Sequence, residues 1–160
     1  MSQNQLSELQ SRILDEASSW LGTKYQHRAR IKGAGVDCVQ LLIAVYVAVG
    51  ELPPDIDTGD YPMDFGFNRD EERYLQNILR FAVPVDTPQV GDVAVFKYGR
   101  VVSHAGIVSH VATGSEDYPY IIHAYRPERA VVVSDMMRSA HLQAHFAGYY
   151  RLKTMTEGGA

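Results

Sequence analysis

A chain of 160 residues, 46% hydrophobic and 21% charged, has the length of one domain and enough apolar mass for a proper core, which excludes a disordered or disulfide-stapled chain. A net charge of -4 without any Lys and Arg cluster offers no phosphate-binding stripe and no pull toward anionic lipid, so neither nucleic acid nor a membrane is an expected partner. The single cysteine, Cys38, excludes an internal disulfide.

The first residues lack both the basic start and the apolar core of a signal peptide. The apolar run 39–49 is broken by Gln40 and too short to cross a bilayer. The expectation is a protein that stays cytoplasmic after synthesis, or leaves by a route the sequence does not state. Leu6, Leu9, Ile13, Ala17, Trp20 and Leu21 recur at helical spacing, with Gly22 as a stop, which predicts an amphipathic helix over 6–21. The stretch 23–36 is polar, contains Gly and reads as irregular. A second helix is predicted from Cys38 to about Val49, with Asp37 as its N-cap and Gly50 as its stop. It is apolar nearly all round, so it belongs in the core.

Pro53, Pro54, Gly59 and Pro62 mark a loop, and Asn68 with Glu71 forms a capping-box pattern for a third helix to about Phe81. Beyond Pro84 and Pro88 the texture changes. The segments 92–97, 101–111, 120–124, 130–134 and 147–152 are rich in Val, Ile, Tyr and Phe and are separated by turn residues, as strands are. A short helix fits 136–144, with Ser134 or Asp135 as cap, and the tail 154–160 is expected to be free. Helices first and strands second describe an α+β domain with an antiparallel sheet, one domain over 1–160 with its core at about 14–152.

A cysteine is ordinarily a small buried hydrophobe, but Cys38 stands at the predicted first turn of a helix. There, unpaired backbone N–H groups and the macrodipole stabilise a thiolate and can also face a developing oxyanion. A thiol nucleophile needs a base, and His is the side chain tuned to neutral pH. Of six histidines, His104 stands in a strand with the small residues Ala105 and Gly106 leaving room beside its ring. His123 lies in the next strand. If the two strands pair antiparallel, the rings become cross-strand neighbours and His123 orients His104; otherwise His123 is a polar residue at the sheet rim. His141 and His145 are four apart and would share a helix face, but the segment lacks the Glu and third ligand of a zinc motif, so they read as solvated surface residues. Gly33-Ala34-Gly35 matches no phosphate loop, and neither a metal nor a cofactor is implied.

Five stretches in order resemble the NlpC family of cell-wall cysteine peptidases over roughly 14–152. They are Trp20-Leu21-Gly22-Thr23-Lys24-Tyr25, Gly35-Val36-Asp37-Cys38, Gly91-Asp92-Val93-Ala94-Val95-Phe96, Ser103-His104-Ala105-Gly106-Ile107 and Ile121-Ile122-His123-Ala124. The resemblance implies a papain-like fold, Cys38 as nucleophile, His104 as base and His123 as third polar residue, with no metal. It places Tyr25 near the thiolate as oxyanion support, and Asp37, next to the cysteine, on the oxyanion and substrate side. The implied activity is cleavage of an amide bond in peptidoglycan stem peptides. Where the family has Ser-Gly after the cysteine, this chain has Val39 and Gln40; that serine helps bind a free substrate amine. With the missing signal peptide, this variation resembles the phage-associated branch, whose members accompany tail proteins. A tail-associated assembly module with weak or lost hydrolysis is the alternative. Cysteine before histidine argues against the lecithin–retinol type of acyltransferase, which runs in the opposite order. The CHAP amidases share the chain order, but the surroundings of Cys38 fit them less well.

Overall fold

The computed structural model of the protein describes residues 1–56, 79–111 and 118–156. Helix α1 (Gln3–Ser18) begins a turn earlier than its apolar spacing suggests, because Ser2 and Gln5 close a capping box ahead of the first buried side chain. It buries Leu9, Ile13 and Ala17. Trp20 is buried by the turn that follows, whereas Leu21, expected on the apolar face, is exposed.

The stretch expected to be irregular contains a two-residue hairpin, β1 (Arg30–Ile31) and β2 (Gly35–Val36). Strands this short carry no period that a pattern search detects. Helix α2 (Cys38–Ala48) is apolar on every side and accordingly buries Cys38, Val39, Gln40, Leu41, Leu42, Ile43, Val45 and Tyr46. Burying each large aliphatic side chain here contributes roughly 1.5–3 kcal/mol. The expected loop at 51–67 and helix at 68–81 lie outside the described residues except at their ends.

Among the described residues, six strands form one antiparallel sheet: β3 (Ala82–Val85), β4 (Val93–Tyr98), β5 (Val101–His110), β6 (Tyr120–Tyr125), β7 (Ala130–Asp135) and β8 (Phe146–Leu152). Their order across the sheet is β3-β8-β4-β5-β6-β7. The α+β expectation therefore holds, with α2 lying on β5 and β6 and α1 packed on α2. β3 went unpredicted because Pro84 reads as a strand breaker. It is an edge strand, where a missing N–H is tolerated.

The segment predicted as one helix over 136–144 is a 3-10 turn at Met136–Arg138, capped by Asp135, followed by α3 (Ala140–His145), capped by Ser139. Met136 and Leu142 cover the other face of the sheet with Phe96, Val108 and Ile121. The expected free tail is corrected as far as Thr156. Residues Lys153–Thr156 form a helical turn, α4, and Met155 is buried in the main core with Leu9 and Ile13. A buried ion pair locks the start of β4 to β8: Asp92, fully buried, accepts from Arg151 Nε and Nη2 at 2.9 and 2.8 Å. Among the described residues no helix is long and apolar enough to cross a membrane.

Candidate active site

Cys38 is the first residue of α2, and Asp37 makes that start possible. In extended conformation, Asp37 accepts from the backbone N–H of Gln40 at 2.9 Å through Oδ1 and from that of Arg28 at 2.6 Å through Oδ2. Its carboxylate is fully buried and also lies 3.9 Å from Nδ1 of His27. One acidic side chain thus caps the helix and ties the preceding loop to it. The Cys38 thiol is 2% exposed and makes a long sulfur hydrogen bond, 3.9 Å, to the carbonyl of Ser103.

Ser103 is presented by an irregularity in β5. Phe96 pairs with His104 and Lys97 with Val102, so Ser103 is an extra residue opposite no partner, a β-bulge. The bulge sets the Ser103 carbonyl against α2 immediately before His104. The Ser103 hydroxyl is buried and has no hydrogen-bond partner among the described residues.

From His104 a line of hydrogen bonds runs across three strands. His104 Nε2 lies 2.8 Å from Nδ1 of His123 on β6, and His123 Nε2 lies 2.8 Å from Oγ of Ser134 on β7. Ile107 pairs with Ile122 and Val108 with Ile121, and this register, continued, sets Gly106 against His123. The two rings therefore meet diagonally, over a position without a side chain. On the next pair, Val132 is opposite His123 and Ser134 is opposite Ile121, so Ser134 is again a diagonal neighbour. Tyr125 stacks on the His123 ring at 4.5 Å between centroids, and Phe96 lies 5.5 Å from that of His104.

Burial controls the charge of this relay. It pushes the His104 imidazole down to about 3, because the cation is stripped of water. His123 is held well below the usual histidine range, first by burial and then by the charge of His104. Both rings are neutral at neutral pH.

Beside the relay opens a pocket of about 120 Å³, lined by Tyr25, Tyr98, Tyr125 and His141 together with Ser103 and His104. Burial, followed by the charge of Tyr125, raises the Tyr98 hydroxyl above the usual phenol range. The sequence-predicted residues thus fall into two groups. Tyr25 and His104 line the pocket, His123 bonds His104 and Cys38 meets the carbonyl of neighbouring Ser103, whereas Asp37 is turned into the helix cap. His141 and His145 do share a face, with centroids 4.6 Å apart, but they are not simply solvated. His145 stacks on Tyr98 at 4.2 Å and bonds the Lys97 carbonyl, while His141 lines the pocket. Among the described residues no group of three His, Cys, Asp or Glu side chains could hold a metal ion.

Sequence reasoning missed Ser103, Ser134, Tyr98 and Tyr125. Only Tyr125 carried a signal, since it lies two residues beyond His123 on one strand and so shares its face.

No family model matches the chain, and no curated protein does. Solved structures do. A crystal structure of an NlpC/P60 family protein from Bacillus cereus is 22% identical with a TM-score of 0.61, over 89% of this chain and 40% of that one. The chain thus spans about two fifths of that protein's length. The NlpC/p60 domain of the peptidoglycan hydrolase SagA is 20% identical with a TM-score of 0.56, over 89% of this chain and 98% of that one. The peptidoglycan hydrolase RipB of Mycobacterium tuberculosis is 16% identical with a TM-score of 0.55, over 94% of this chain and 67% of that one. The chain has the papain-like fold of NlpC/P60 proteins.

Proposed function

We propose that the protein is a cysteine peptidase that hydrolyses an amide bond in peptidoglycan stem peptides, with Cys38 as nucleophile, His104 as base and His123 holding the base in place. The observation that carries this reading is the 2.8 Å bond between the two buried rings, adjoining the residue whose carbonyl receives the Cys38 thiol. The substrate class is supported by the fold shared with SagA and RipB, which are peptidoglycan hydrolases.

The chemistry follows from the electrostatics. The His104 imidazole rests neutral, since burial disfavours the imidazolium. With Nε2 of His104 engaged by His123, Nδ1 is the nitrogen left to take the thiol proton as sulfur bonds to the amide carbon. The N-terminus of α2 stabilises the developing thiolate, and the Cys38 backbone N–H and the Tyr25 hydroxyl receive the oxyanion. The imidazolium is a strong acid in this setting. It protonates the leaving nitrogen as the C–N bond breaks, leaving a thioester. Water then adds to the thioester while His104 takes its proton. The C–S bond breaks, and the thiol is restored. Cys38 is 2% exposed, and in this reading substrate approaches it from the pocket that Ser103 and His104 line.

Cys38→Ala is the decisive variant. It removes only a sulfur atom from a packed site, so it is expected to fold normally while losing turnover of defined stem peptides, followed by mass spectrometry of the products. Unchanged turnover in that variant overturns the reading.

A further inference from the structure

Resting on the catalytic reading above, we infer that Ser134 is a positioning residue that supports the productive protonation of the two histidines, by accepting a hydrogen bond at the far end of the His104–His123 line. Two neutral imidazoles joined by one hydrogen bond share a single proton between the bonded nitrogens, so the polarity of one ring dictates that of the other. His104 accepts the Cys38 proton only if its Nδ1 is bare, which puts its own proton on Nε2. His123 must then accept at Nδ1, 2.8 Å away, and carry its proton on Nε2. That N–H points at Ser134 Oγ, also at 2.8 Å.

The opposite polarity is chemically possible and inactive. In it, His123 donates from Nδ1 to His104 Nε2, and His104 turns a proton toward the thiol it ought to deprotonate. Which polarity prevails depends on the far end, because His123 is fully buried and the part-buried Ser134 hydroxyl is the group that meets its Nε2. The Ser134 hydroxyl meets either polarity, accepting from the His123 Nε2–H in the productive one and donating to a bare Nε2 in the other, so it permits the productive polarity. With Ala there, the productive polarity leaves the His123 Nε2–H without its side-chain acceptor, whereas the inactive one leaves only a bare ring nitrogen unmet. Ser134 also lowers the energy of the imidazolium formed during attack. A cationic His104 donates more strongly to His123, and His123 in turn to Ser134. The position is supplied by register alone: Ser134 is opposite Ile121, one diagonal step from His123, as His123 is from His104.

Two measurements test this. NMR of the unmodified protein labelled at its histidines reads the ring tautomers directly. His104 and His123 are both expected to carry the proton on Nε2, and an Nδ1 proton on His123 overturns the inference. Kinetics of Ser134→Ala should show kcat lower by about ten-fold or more with KM little changed, a shift of the His123 tautomer toward Nδ1, and recovery of most of the rate in Ser134→Thr. Wild-type kcat in a folded Ser134→Ala, or loss of rate without a tautomer change, overturns it as well. An inactive wild-type protein strikes instead at the catalytic reading, and the tautomers still decide the role of Ser134.

Discussion

Gly106 and His123 face one another so closely that a Cβ on the glycine would lie 3.0 Å from Cβ of the histidine, and equally close to Cδ1 of Ile121. This gap lets the His123 ring lean across to His104 instead of standing straight out from its strand. Gly106 has no positive φ to require glycine; what requires it is space. Gly106→Ala is therefore expected to push β5 and β6 apart, destabilising the protein by about 1–3 kcal/mol and lowering turnover more than the stability loss explains. Thermal unfolding and peptide hydrolysis measured on the same sample check it. Unaltered activity with unaltered melting would mean that the strands have slack at this point.

His123→Ala removes the group that bonds Nε2 of His104, leaving that ring free to rotate and to adopt either tautomer. Loss of the orienting member of a triad typically reduces kcat by about a hundred- to ten-thousand-fold, and a fall of that order is expected here. His123→Gln, whose amide oxygen can still accept from His104, should retain more rate than His123→Ala. Equal rates in the two variants would speak against an orienting role.

Acid should destabilise the fold through the same histidines. His104 titrates near its ordinary 6.5 once unfolded but only near about 3 when folded. Between those values the unfolded chain takes up a proton that the native one refuses, so the stability it retains above about pH 6.5 declines as pH drops toward 3. On this account His104 alone removes about 2–3 kcal/mol between pH 7 and about pH 4.5. Denaturant melts of the wild type and of His104→Gln across that window should converge as pH falls. Parallel curves would refute the burial argument.

Asp37→Ala leaves the N–H groups of Gln40 and Arg28 without their acceptor at a buried helix start. A loss of about 1–3 kcal/mol is expected, together with reduced turnover, because the turn carrying Cys38 loosens. Asp37→Asn keeps one acceptor oxygen and should fall between the two. A melting temperature unchanged in Asp37→Ala would show that the loop from Arg28 holds the helix unaided.

What was legible in the sequence was whatever depends on neighbours along the chain. The apolar spacing of Leu9, Ile13 and Ala17 specifies a buried helix face, the all-round apolarity of α2 puts it in the core, and Asp37 before Cys38 announces a cap with a thiol at its first turn. The strands around His104 and His123 were equally plain from their Val and Ile content. The short β1–β2 hairpin and the edge strand β3 were not, since two residues have no period and Pro84 disguises an edge.

The site itself depended on how strands register against each other. That Ser103 is the residue left over in a bulge, that His123 meets His104 on the diagonal above Gly106, and that Ser134 ends the line all follow from pairing choices made across the sheet. Local pattern tells which face of its own strand a side chain occupies. Only the packed sheet decides which side chain of another strand stands beside it, because a slip of one residue in register turns every partner to the opposite face.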